Sequence, residues 1–209
     1  MTSNDLLFNE GLPDNPLPLL AEWFDYAKQN TTKPNWNAFM LATTSTTNQP
    51  SVRAVLMKYF NQQTGEITFY TNYHSRKATE ISANPKIALV FHWDDLERQI
   101  RIEGTTEKAP PETSDAYFQT RDRESQIGAW ASPQSSELTG WEQLLEKVMH
   151  YAMKFPANQP VPRPPHWGGY IITPQKIELW HGRTGRIHER IRFKKPSSNQ
   201  PWQPTWLAP

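Results

Sequence analysis

The sequence predicts a mainly β protein, a small antiparallel barrel with three or four helices on its periphery. Between Ala38 and Gly104 five short β-rich runs follow one another, most of them divided by turn signals such as Asn48-Gln49-Pro50 and Thr64-Gly65. Three further runs lie between residues 169 and 193. The strands do not alternate regularly with helices, as a doubly wound parallel sheet would require.

Taken in order, Asn15-Pro16 reads as an N-cap followed by proline at the first helical position. Leu17, Leu20, Trp23, Phe24 and Ala27 then recur at helical spacing, which predicts a helix over 16–29. The β-rich runs are 38–44, 51–58, 66–71, 86–92 and 97–104. A short helix, 75–83, interrupts them and stops at Asn84-Pro85. Residues 111–120 predict a second short helix. The stretch 137–155 predicts a longer one, with Trp141, Leu144, Leu145, Val148, Ala152 and Phe155 on one apolar stripe.

A proline tract at 156–165 is too stiff for helix or sheet and reads as an extended connector. Strands at 169–173 and 176–181 lead through Gly182-Arg183-Thr184-Gly185 into a third at 186–193. The tail carries four more prolines and is expected to be irregular. The organisation is then an N-terminal arm, 1–14, and one domain, 15–209.

The chain has 209 residues, enough for one domain with a full core, and no cysteine. That excludes disulfides, thiol nucleophiles and thiolate metal sites. Lys and Arg number 22 against 21 Asp and Glu, so the molecule as a whole is no polycation awaiting nucleic acid. Residues 1–20 lack the basic start and apolar stretch of an export signal. The longest purely apolar run, Ile87–Phe91, falls far short of the ~20 residues that cross a bilayer. The expected location is the cytoplasm, with no membrane partner.

Several cations stand where the fold alone does not ask for them. Arg76 and Lys77 open the short helix, at the positive end of its dipole, where an anion would justify them. Strict alternation over 186–193 puts Arg186, His188, Arg190 and Arg192 on one face, near Trp180. Tyr117, Arg121 and Ser125 follow an i, i+4, i+8 spacing and form a phosphate-grade donor set if a helix persists through Arg121. Arg53 and Lys58 bracket one strand and, by alternation, point to opposite faces. No dinucleotide fingerprint, P-loop, nucleophile elbow or metal-ligand spacing occurs. Several phosphate-grade cation clusters without a nucleophile or metal point to a cofactor that performs the hard step.

Eight blocks in order resemble the pyridoxamine 5′-phosphate oxidase family. They are Arg53-Ala-Val-Leu-Met-Lys58, Phe69-Tyr-Thr-Asn72, Ser75-Arg-Lys77, Leu96-Glu-Arg-Gln99, Ser125-Gln-Ile-Gly-Ala-Trp130, Gln134-Ser-Ser136, Trp167-Gly-Gly169 and Trp180 with Arg186-Ile-His188-Glu-Arg190. The resemblance implies an antiparallel split β-barrel homodimer with FMN between the subunits. It implies FMN contacts from Arg53, Val55, Leu56, Lys58, Tyr70, Thr71, Arg76, Lys77, Gln99, Gln134, Ser135, Trp180 and Arg190. Lys58, Tyr117, Arg121 and Ser125 would hold the substrate phosphate, with Arg186 and His188 over the pyridine ring as the catalytic pair. The implied reaction is hydride transfer from C4′ of pyridoxamine or pyridoxine 5′-phosphate to flavin N5. O2 then reoxidises the flavin and yields H2O2, giving pyridoxal 5′-phosphate as product.

Two departures from the family pattern stand out. Residues 1–14 contain no Arg, Lys or Tyr, where relatives carry a basic segment, and Trp206 stands where an arginine is usual. Three rival readings are a phenazine-type split-barrel oxidase, a non-catalytic flavin module and a single-stranded nucleic-acid binder. The Tyr117, Arg121 and Ser125 set argues against the first, retention of Arg186 and His188 against the second, and the near-zero net charge against the third.

Overall fold

The computed structural model describes residues 11–197 and 200–209. Helix α1 (Leu17–Asn30) leads into β1 (Ala38–Thr44), β2 (Pro50–Leu56), β3 (Tyr59–Phe60) and β4 (Ile67–Asn72). Helix α2 (Arg76–Ala83) precedes β5 (Lys86–Trp93) and β6 (Arg98–Lys108). Three helices follow, α3 (Pro111–Gln119), α4 (Arg123–Ala131) and α5 (Trp141–Lys154). The chain ends with β7 (Trp167–His181), β8 (Glu189–Lys194) and β9 (Gln203–Trp206). Among the described residues all strands join one sheet in the order β2-β1-β5-β6-β7-β4-β3, with β8 on β7 and β9 on β8. Every pairing is antiparallel.

The sheet is curled into a barrel, and ring contacts demonstrate the curl. Phe39 of β1 and Phe69 of β4 are four strands apart in the sheet order, a path of about 19 Å at normal strand spacing. Their ring centroids are nevertheless only 6.0 Å apart. Phe24 of α1 touches both Phe60 of β3 and Phe91 of β5, each at 5.0 Å. The α1 face that the periodicity marks is the one that fills the concave side, because Leu17, Leu20, Trp23, Phe24 and Ala27 are all buried.

The long strand β7 changes partner along its length. Its first half pairs with β4 as far as Ile172, and its second half pairs with β8 from Lys176. Pro174, which has no N–H to donate, sits at the changeover. A bulge at Glu103/Gly104 bends the neighbouring ladder there, with Gln175 as the extra residue on β7. A side chain at Gly104 would come within 2.2 Å of the Thr173 carbonyl oxygen, so the bulge needs glycine.

Several expectations need correction. The runs 169–173 and 176–181 are one strand, and the tail expected to be irregular contains β9, which covers Ile191 and Phe193 of β8. Strand β8 begins only at Glu189. Arg186 lies in a 3-10 turn with φ 62°, and Ile187, expected to face inward, is exposed. The shared face therefore survives only for Arg190 and Arg192. Helix α4 was not anticipated. No residue of α5 is fully buried: Leu144 and Val148 are half-covered, while Trp141, Leu145 and Met149 are exposed. The N-terminal arm, 1–14, where the family's basic segment is missing, lies largely outside the described residues.

Candidate active site

A cavity of about 960 Å³ opens between β2, the β4–α2 junction and the α3–α4 corner. Strand β3 is what opens it. It pairs with β4 only as far as Thr68, so among the described residues the edge of β4 from Phe69 to Asn72 has no strand neighbour on that side. Tyr70, Thr71 and Asn72 line the cavity there. Strand β2 ends at Leu56, and the chain turns before Lys58, whose N–H donates to the Thr68 carbonyl at 2.8 Å. This break cancels the alternation that put Arg53 and Lys58 on opposite faces, and both line the same cavity with Val55 and Leu56.

One end of the cavity is a cluster of three cations at the start of α2. Lys77 is buried, and its ammonium donates to Thr71 Oγ1 at 3.0 Å, Ser75 Oγ at 3.2 Å and Gln134 Oε1 at 2.8 Å. All three acceptors are neutral. Burial, and then the charge of Arg53, push the Lys77 amine down to about 8. Arg53 donates to Leu41 O at 3.1 Å and Thr43 Oγ1 at 2.6 Å. Arg76 and Arg53 both reach the buried carboxylate of Glu80, at 2.8 and 3.4 Å. Thr71 and Lys77 tie the Gln134 loop to this cluster, and the next residue, Ser135, takes a left-handed φ of 72° and lines the same cavity.

The other end is aromatic and cationic. Tyr70 stacks on Tyr117 with ring centroids 4.0 Å apart and on Trp167 at 5.3 Å. The Arg121 guanidinium lies 4.7 Å from the Trp167 ring, and its buried NH1 has no hydrogen-bond partner. No helix runs continuously through Tyr117, Arg121 and Ser125. The helix breaks at Thr120–Asp122, where Asp122 caps α4 by accepting from the Ser125 N–H at 2.7 Å. The corner, and not a common helix face, brings the three to the same cavity. Sequence reasoning did not single out Trp167 or Glu80 as site residues. The four-residue Arg76–Glu80 spacing on a helix was the available signal for Glu80.

The remaining five residues singled out do not line this cavity. Gln99 of β6, Trp180 of β7 and Arg190 of β8 lie directly opposite one another across three strands. Glu178 and the Ala208 carbonyl hold Arg190, at 2.7 and 2.8 Å. The His188 ring lies 4.7 Å from Trp180, and its Nδ1 accepts from the Arg183 N–H at 3.1 Å. Arg186 is exposed on its left-handed turn. This row occupies the outward face of the sheet, whereas Arg53 stands opposite buried Leu41 on the inward side. Beside the row the outward face is apolar: Met40 and Val52 are 47% and 67% exposed, next to Ala42, Ala54, Ala88 and Val90.

Residues 27–151 match the family model for pyridoxamine 5′-phosphate oxidase, and residues 167–209 that for the C-terminal dimerisation region of pyridoxine 5′-phosphate oxidase. The chain is 46% identical over 198 residues to a pyridoxine/pyridoxamine 5′-phosphate oxidase of Cupriavidus necator, covering 94% of this chain and 90% of the relative. It is also 46% identical to the enzyme of that name from Acaryochloris marina, covering 93% and 86%. Among solved structures it is similar to PhzG of Burkholderia lata, determined with tetrahydrophenazine-1-carboxylic acid. The TM-score there is 0.86 at 27% identity, over 98% of both chains. An FMN-binding protein of Nostoc punctiforme shares the fold, with TM-score 0.72 at 15% identity over 92% and 96%.

Proposed function

Because the chain belongs to the pyridoxamine 5′-phosphate oxidase family, we propose that it oxidises pyridoxamine 5′-phosphate and pyridoxine 5′-phosphate to pyridoxal 5′-phosphate, with FMN as cofactor and O2 as electron acceptor. The observation that carries the reading is the buried Lys77 ammonium, bonded only to neutral oxygens and facing the charge of Arg53, with Arg76 lining the same cavity. A buried cation without a bonded anion is costly unless a ligand supplies the charge. The FMN phosphate suits this end, held by Arg53, Arg76 and Lys77. The unpartnered NH1 of Arg121 asks for a second anion, and the substrate phosphate suits Lys58, Tyr117, Arg121 and Ser125. Each charge-assisted hydrogen bond contributes about 1.5–3 kcal/mol, so three or four make a firm anchor.

FMN, when bound, supplies the two-electron acceptor that C4′ oxidation requires. The chain's part is to position and to balance charge. Anchoring both phosphates fixes the substrate's reacting carbon relative to the cofactor and replaces a random encounter by a set geometry. Val55 and Leu56 offer apolar contact, and Thr71, Gln134 and Ser135 offer polar contact, along the way. His188 accepts at Nδ1, so its neutral ring carries the proton on Nε2.

The outward row and the cavity are two half-sites, and we take a homodimer to join them. The apolar face around Met40 and Val52 is the surface that a second copy would cover, bringing Gln99, Trp180 and Arg190 to the cofactor and Arg186 and His188 to the substrate ring. Residues 15–209 act as one domain in this scheme. Among the described residues no helix is long and apolar enough to cross a membrane, and we assign the enzyme to the cytoplasm.

The direct test is aerobic turnover of pyridoxamine 5′-phosphate with added FMN, following aldehyde and peroxide together. Equimolar formation of both is the expected result. Bound flavin without turnover would leave the cofactor reading and remove the substrate.

A further inference from the structure

Glu80 belongs to none of the roles above. It does not line the cavity, it is only 5% exposed, and its carboxylate lies behind the cations that do. Its Oε2 accepts from Ser51 Oγ at 2.6 Å, from Thr43 Oγ1 and from Arg53 at 3.4 Å, and its Oε1 accepts from Arg76 Nε at 2.8 Å. Thr43 and Ser51 in turn accept from Arg53. We propose that Glu80 is a positioning residue that sets the Arg53 and Arg76 guanidinium groups for the flavin phosphate without touching it. The inference rests on the reading that this cavity takes FMN.

Three cations gathered at one helix start repel one another. Burial lowers the Arg53 pKa most, the charge and hydrogen bond of Glu80 raise it, and the charge of Arg76 lowers it least; for Lys77 the charge of Arg53 adds to the lowering by burial. Arg76 is also more than half exposed, and free in water its long side chain would sample many rotamers. A carboxylate behind the cluster relieves the repulsion and ties down Arg76 through Nε, which leaves its two terminal nitrogens for a ligand. Burial opposes the Glu80 charge, but hydrogen bonds from Ser51, Thr43 and Arg76 outweigh it and hold the carboxyl at about 2. Glu80 is thus ionised at any working pH. The opposing effect is Coulombic, since a negative charge near a phosphate weakens attraction. Preorganisation is taken to outweigh it, because the carboxylate is already engaged by two guanidinium groups and two hydroxyls.

The test compares FMN with riboflavin, which lacks the phosphate, by quenching of flavin fluorescence on the full-length, flavin-stripped protein. Glu80→Gln is expected to weaken FMN about tenfold, the loss of roughly one charge-assisted hydrogen bond, and to leave riboflavin within about twofold. Thr43→Val is buried, nearly isosteric and outside the cavity lining, so it reports on the same network if Glu80→Gln does not fold. It is expected to weaken FMN about threefold with riboflavin unchanged. Equal or tighter FMN binding by the variants, or a parallel loss for both flavins, would overturn the proposal. If the unmodified protein binds neither flavin, the reading of the cavity falls with it. If it binds FMN and the variants match it, the positioning role alone falls.

Discussion

The two cation clusters of this molecule are built in opposite ways. The cluster at the start of α2 is finished within one chain, since Lys77, Arg53 and Arg76 are bonded to Thr71, Gln134, Thr43 and Glu80 before any ligand arrives. The C-terminal cluster is unfinished. Arg190 is fastened to Glu178 and the tail, yet Arg186 stands exposed on a left-handed turn and the adjoining sheet face is bare and apolar. On the proposed reading, the difference is a division of labour: an anchor needs rigidity and can be built locally, whereas groups that close over a substrate can wait for a second subunit.

The sharpest way to break the comparison is to disarm the anchor. Arg76→Ala with Lys77→Ala removes two charged donors and is expected to weaken FMN about 10³-fold, measured by fluorescence titration, with the fold retained by circular dichroism. Unchanged flavin affinity would end the assignment of the α2 start. The second cluster should answer differently. Arg186→Ala is expected to lower kcat/KM for pyridoxamine 5′-phosphate about 10²-fold while FMN stays bound. Loss of FMN instead would merge the two roles.

The most graded effect is one of pH, and its sign is fixed by Lys77. The free amine titrates near 8, below the ordinary 10.5, and a bound phosphate would pull it back up. FMN affinity should therefore fall as pH rises above about 8, by up to about tenfold per pH unit, because binding must take up a proton. Riboflavin should show no such slope, and Lys77→Gln should abolish it. The unliganded fold moves the other way through this group. The unfolded chain holds more protons between about 8 and 10.5, so Lys77's burial cost is relieved as pH rises. A flat FMN profile across this window would contradict the buried-cation account.

The same contrast explains what could be read from the sequence. The α2 cation cluster was legible because it rests on local rules: two cations at a helix start cannot be explained by the dipole, and α1 and most strands follow their periodicities. The rest depended on where periodicity stops. Lys58 shares the cavity with Arg53 because β2 ends two residues before it, and Arg186 leaves the strand face because the turn runs on to His188. Tyr117, Arg121 and Ser125 meet at one cavity through a helix break at Thr120–Asp122, where the sequence pattern grouped the same three through a continuous helix that does not form. Strand β9 escaped notice because Pro204 hides it, although prolines are tolerated at a sheet edge. Glu80 and Trp167 meet partners from several elements, which no local pattern reports.

The most direct test of the divided site is complementation. Arg76→Ala/Lys77→Ala chains and Arg186→Ala chains, carrying different tags, are co-expressed and the mixed dimers isolated. If each site takes its anchor from one copy and its closing groups from the other, a mixed dimer holds one intact site. It should then regain about half the turnover of the unmodified dimer, although each parent is nearly inactive. Mixed dimers with no more activity than their parents would contradict the account, because they would put both clusters of each site on the same chain.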